Sequence, residues 1–193
     1  MKNSLVKYSV VLIVYLAVLY PLWIVTKDLN SFSLIEVFPI FGILAFTLLW
    51  LHSMSGVFEP WLRKNFDFDR FVNTTSFLIL ICIILHPLLL LINYGFDFNK
   101  INLYWDAKYI RLGVIGWILL ISYDIFKPFK KRDFFSRNWN NILSISTVGF
   151  ILIFFHSLAL GGELQSGPLH SLWIFYGITG ILATSYTYGL KRL

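Results

Sequence analysis

Charge is scarce in this sequence. Asp, Glu, Lys and Arg make up 13% of its 193 residues, against roughly 25% in a soluble domain, which is too little to clothe a water-facing surface. Cysteine is nearly absent as well. The single Cys82 excludes an internal disulfide framework and a CxxC metal site. There is no Pro/Gly/Ser-rich linker, no low-complexity segment, no Ser/His/Asp set, no glycine-rich phosphate loop and no pair of carboxylates at membrane depth. A further soluble domain, a triad hydrolase and a nucleotide-binding site are therefore not expected within it. No internal repeat of the kind found in transporters is visible.

Long apolar runs are what the sequence has in abundance. Lys7 to Lys27, Glu36 to Glu59, Arg70 to Asp97, Arg137 to Glu163 and Glu163 to Lys191 each bracket a stretch without charge. Each is long enough, at 1.5 Å per residue, to cross a hydrocarbon core of roughly 30 Å. A shorter run between Arg111 and Asp124 makes a span if Arg111 snorkels outward and Asp124 sits at the inner end. The first run follows Lys2 and Lys7 as a signal peptide would, but it is long and lacks a small-residue cleavage site, so a retained helix is expected. The expected fold class is an all-α integral membrane bundle in a single domain. Its six helices are placed at about 8–26, 37–58, 72–94, 109–126, 140–161 and 170–189.

Alternate connections then differ in basic residues, which sets orientation. One side collects Lys2, Lys7, Arg63, Lys64, Arg70, Lys127, Lys130, Lys131, Arg132, Arg137, Lys191 and Arg192, which is 12 of the 16 Lys and Arg. The other side holds Lys27, Lys100, Lys108 and Arg111. Both termini are expected in the cytoplasm, in a multi-pass protein of the cell membrane. The basic balance is thus accounted for by the lipid bilayer and requires no nucleic acid. Trp23, Trp61, Trp105, Trp139 and Trp173 fall near helix ends, where an aromatic belt would place them, while Trp50 and Trp117 lie deeper as packing residues.

Four histidines remain, and an ionisable group inside a bilayer is costly enough to suggest function. His86 and His156 lie 16 and 17 residues beyond their inner anchors Arg70 and Trp139. Both therefore sit roughly 24–26 Å above those anchors, level with each other in the outer half. Two imidazoles at one depth could ligate a haem iron from both axial sides, or could hydrogen-bond across helices as structural glue. His52 falls in the inner half near Glu59, where a bond within the bundle is expected, and a stray ligand is the alternative. His170 opens the last helix on the outer side and reads as an interface residue, or as one beside an outer cofactor or acceptor. Gly149, two turns below His156, admits either a macrocycle edge or close helix packing.

The surroundings of these histidines, IILHPLLLLINYG at His86 and FILIFFHSLALGGEL at His156, resemble the ferric reductase-like transmembrane domain. That family includes ferric reductases, NADPH oxidases and the haem subunit of the periplasmic methionine sulfoxide reductase. The resemblance extends through FEPWLRKNFDFDRF before the third helix, YIRLGVIGWILL in the fourth, and Trp139 placed 17 residues before His156. It implies that His86 and His156 are the axial ligands of haem b, and so hold its iron. Family members carry a second histidine about 13 residues earlier on each helix for an inner haem; here those positions are Asn73 and Leu143. One haem per chain is therefore expected, with Lys108 and Arg111 either contacts of its propionates or ordinary snorkelling flank residues.

By the same resemblance the chain passes electrons toward an acceptor on the outer face, from a separate cytoplasmic flavoprotein or a membrane quinol. The family's two sites lie about 20 Å apart, so without the inner haem a direct inside-to-outside path is too long: either the donor docks within the membrane, as a quinol could, or something replaces the inner haem. A non-catalytic anchor or assembly subunit of the same fold is the alternative. A small transporter is a third reading, for which only the histidines offer ionisable groups at depth.

Overall fold

The computed structural model describes residues 2–27, 29 and 31–188. It is helical, with no strand among the described residues. In chain order the helices are α1 (Lys2–Thr26), α2 (Leu34–Val57), α3 (Glu59–Asn65), α4 (Phe68–Asn93), α5 (Phe98–Tyr104), α6 (Ala107–Phe126), α7 (Asp133–Arg137), α8 (Trp139–Leu160) and α9 (Gly167–Tyr188). Single 3-10 turns at Lys127–Phe129 and Gly162–Leu164 join α6 to α7 and α8 to α9. Lys191 and Arg192, both counted in the orientation argument, lie outside the described residues, as does the side chain of Lys2.

Five helical stretches are long and apolar enough to cross a membrane: Ser4–Thr26, Leu34–Val57, Phe68–Asn93, Ala107–Phe129 and Trp139–Leu160. The shortest has 22 residues, about 33 Å of helix. This makes the chain a multi-pass membrane protein. The exposed faces agree, since on α1 alone Leu5, Val11, Leu12, Ile13 and Leu16 point outward, a pattern that suits lipid and would be an aggregation hazard in water. The sixth helix expected from the sequence is present as α9, also 22 residues long. Glycine, serine and threonine dilute its apolar run, so it is not among those five.

The chain divides into two compact units, Met1–Asn93 and Tyr94–Leu193. In the first, α1 packs on α2, and α2 runs antiparallel to α4, with Gly42 opposite His86 and His52 opposite Thr75. The core between them holds Ile43, Phe46, Trp50, Ile79, Cys82 and Ile83. Thr47 is fully buried, and its hydroxyl donates to the Ile43 carbonyl at 2.8 Å, which removes the cost of burying it. At the α3–α4 junction Arg63 donates to Glu59 at 2.9 Å and to Asp69 at 2.8 Å, tying α3 to the start of α4. Those two bonds, Glu59 first, hold the Arg63 guanidinium above its ordinary pKa.

In the second unit α6 packs antiparallel on α8, and α8 on α9. The α6–α8 seam is built on glycine. A Cβ at Gly149 would lie 2.9 Å from the Gly116 carbonyl oxygen, and one at Gly116 would lie 2.9 Å from Ile153. Only residues without side chains allow backbones to approach this closely. Of the two readings of Gly149, the structure supports close helix packing. Trp139, Ile142 and Leu143 form a core at the start of α8, with Tyr123, Phe126 and Phe135 against it. Trp139 and Trp173 depart from the belt pattern: Trp139 is buried, and Trp173, fully buried, donates its indole N–H to Ser157 at 2.8 Å. The extra hydrogen-bond partner and the packing of α9 on α8 draw Trp173 inward.

Candidate functional site

Every backbone carbonyl in a helix accepts from the amide four residues on, and each carbonyl oxygen keeps a second lone pair. What covers that lone pair is the Cβ of residue i+4, because Cβ atoms tilt toward the helix N-terminus. Near the start of α2 the residue four beyond Phe38 is Gly42, and near the start of α6 the residue four beyond Tyr109 is Gly113. Both carbonyls are therefore approachable from the side.

Each takes a histidine. His86 on α4 donates its Nδ1–H to the Phe38 carbonyl at 2.8 Å, and its ring lies over Gly42. His156 on α8 donates its Nδ1–H to the Tyr109 carbonyl at 2.9 Å, with its ring over Gly113. The two arrangements match in every part: a carbonyl, a glycine four residues later, and a half-buried imidazole from the antiparallel neighbour. The sequence shows no repeat, whereas the two units share this local one. Since a carbonyl cannot donate, Nδ1 carries the proton, and in the neutral ring the Nε2 lone pair is the metal-binding one.

The other two histidines are held differently. His52 Nε2 meets the Thr75 hydroxyl across α2 and α4, and Thr75 in turn donates to the Phe71 carbonyl at 2.7 Å. With its proton given to Phe71, Thr75 accepts from His52, so Nε2 is the protonated nitrogen there. This is the interhelical bond expected of His52. His170 donates Nδ1–H to the Leu164 carbonyl at 2.6 Å, a bond local to the α8–α9 connection. It fastens the Gly162–Leu164 turn to the start of α9.

Lys108 and Arg111 flank Tyr109 on the first turns of α6, where Asp106 caps the helix by accepting the Lys108 amide at 2.8 Å. Both side chains are exposed. At about 100° per residue, Arg111 is turned roughly 200° round α6 from Gly113, and Lys108 roughly 140°. Lys108 lies over the Tyr109 ring at 5.3 Å.

The positions thirteen residues before His86 and His156 are not alike. Asn73 is exposed on α4, while Leu143 is buried among Trp139 and Ile142. Among the described residues no three of His, Cys, Asp and Glu gather as a bare metal ion would require. A haem asks less, because the macrocycle supplies four nitrogens and the protein only axial donors. Each of the two imidazoles, with Nδ1 bound to a carbonyl, has the arrangement usual in a metal-ligating histidine. Sequence reasoning reached the two histidines and missed Phe38, Gly42, Tyr109 and Gly113. The cue was available as a glycine one turn after an aromatic residue near the start of each preceding helix. Compared with family models, with curated proteins and with solved structures, the chain matches none.

Proposed function

We propose that this chain is a b-type haem protein of the cell membrane, resembling the ferric reductase-like transmembrane domain, with His86 and His156 as axial ligands. The observation that carries the reading is the duplicated tether: both histidines, and neither His52 nor any other, pair an Nδ1–H···O=C bond with a glycine seat on the neighbouring helix. Such a bond fixes the ring's orientation and makes Nε2 a stronger donor. Haem, when bound, supplies one-electron chemistry. Lys108 and Arg111, at the same end of α6 as Tyr109, are the cations proposed for its propionates. Six spans with both termini inside complete the topology, α9 being the sixth.

One haem per chain is expected. Leu143 fills the inner position of the second unit with packed alkyl volume, Asn73 offers no imidazole, and His52 is engaged by Thr75. The electron donor proposed is a quinol or a separate flavoprotein, and the acceptor lies outside. Purified protein should show a reduced low-spin b-type spectrum, with one haem by pyridine haemochrome. His86→Ala or His156→Ala should abolish it, while His52→Ala and His170→Ala keep it. Low-spin haem retained at full occupancy in the His86→Ala, His156→Ala double variant would refute the ligand assignment. No haem in protein from haem-supplied cells would favour the anchor or assembly subunit.

A further inference from the structure

We infer that Gly42 and Gly113 are positioning residues: each leaves a backbone carbonyl open to an imidazole Nδ1–H and so holds His86 or His156 as a strong, oriented iron donor. This rests on the haem reading above.

The geometry separates these glycines from the others. A Cβ at Gly42 would lie 2.8 Å from His86 Cε1 and 2.9 Å from Nδ1, and the three atoms nearest to it all belong to that ring. At Gly113 the Cβ would lie 2.5 Å from His156 Nδ1 and 2.6 Å from Cε1, again with only the imidazole nearest. The ring occupies the space a side chain would take. By contrast, a Cβ at Gly116 meets Ile153 and the Gly149 carbonyl, one at Gly149 meets Gly116, Leu119 and Leu120, and one at Gly177 meets Phe154. Close helix packing accounts for those three. It does not account for two helices, α2 and α6, each placing a glycine four residues after the carbonyl its histidine uses.

An alanine at either position must push the ring aside and lengthen or break the bond to the carbonyl. Loss of that bond makes Nε2 less basic. A less basic donor stabilises ferric iron less than before relative to ferrous, so the midpoint potential rises.

The test is redox titration of the haem in detergent-purified full-length protein, comparing Gly42→Ala and Gly113→Ala with Gly116→Ala. The last carries a comparable steric intrusion on α6 without a histidine. Expected are a higher midpoint potential and about 10- to 100-fold weaker haem retention in the first two, with the potential of Gly116→Ala as in wild type. A purely structural role would lower the folded yield of all three and leave the potential of retained haem unmoved; that result overturns the inference and leaves the haem reading standing. Magnetic resonance of 15N-histidine-labelled wild-type protein, prepared without haem, covers the case of alanine variants that do not accumulate. His86 and His156 should both be Nδ1–H tautomers, and an Nε2–H tautomer at either overturns the inference. Wild-type protein that takes up no haem overturns both readings together.

Discussion

His52 illustrates how much a single residue's bonding partner decides. Depth alone left it as a stray ligand or as glue, and the Thr75 hydroxyl makes it glue. Interhelical bonds of this kind average about 0.6 kcal/mol and reach about 1.7. Thr75→Val should therefore lower the unfolding free energy in detergent by about that amount and, on the haem proposal, leave the b-type spectrum as in wild type. A spectral change in Thr75→Val would show that His52 acts on the cofactor after all. The candidate residues were legible because histidine is rare and each of the two lies deep in a long run without charge. Their tethers were not legible. The acceptors are backbone carbonyls, which every residue has, and the open space over them is a glycine that looks, in sequence, like Gly116 or Gly149.

Among elements, the six long helices follow from the distances between charges, and their ends lie within four residues of those expected, except that α1 begins at Lys2, six residues before the expected start. The short ones, α3, α5 and α7, were hidden inside connections. At 7, 7 and 5 residues they complete no more than two turns, so an apolar period has no room to show itself. Their local signals exist, with Pro60 at the start of α3 and Asp97 capping α5 through the Asn99 and Lys100 amides. Helix α9 is fastened to α8 at two levels, by Trp173 to Ser157 and by Gly177 against the Phe154 ring. Removing the first loses one interhelical bond, whereas filling the second forces an overpacked contact worth about 1–3 kcal/mol. Gly177→Ala should thus lower the melting temperature in detergent more than Ser157→Ala does, and the reverse order would show the hydrogen bond to be the stronger fastening.

Taken whole, the molecule's orientation rests on where lysine and arginine fall, and the structure adds aromatic partners to those at one connection. Lys127, Lys130 and Arg132 lie over Tyr123, Trp139 and Phe129 at 5.9, 4.9 and 4.8 Å. Such pairs hold cations at the level of a membrane interface. In a Cys82→Ser background, Lys131→Cys should react with an impermeant thiol reagent only from the cytoplasmic face, and Ser166→Cys only from outside. The opposite pattern would overturn the six-span register. A second consequence belongs to biosynthesis. Each tether closes within its own unit, Phe38 with His86 and Tyr109 with His156. The contacts that set the first imidazole lie within Met1–Asn93, and those that set the second, seventy residues further along, lie within Tyr94–Leu193. On the haem proposal above, each ring's tautomer is set before the cofactor arrives, so a chain made during a shortage of porphyrin should hold both Nδ1–H tethers and bind haem once it is supplied.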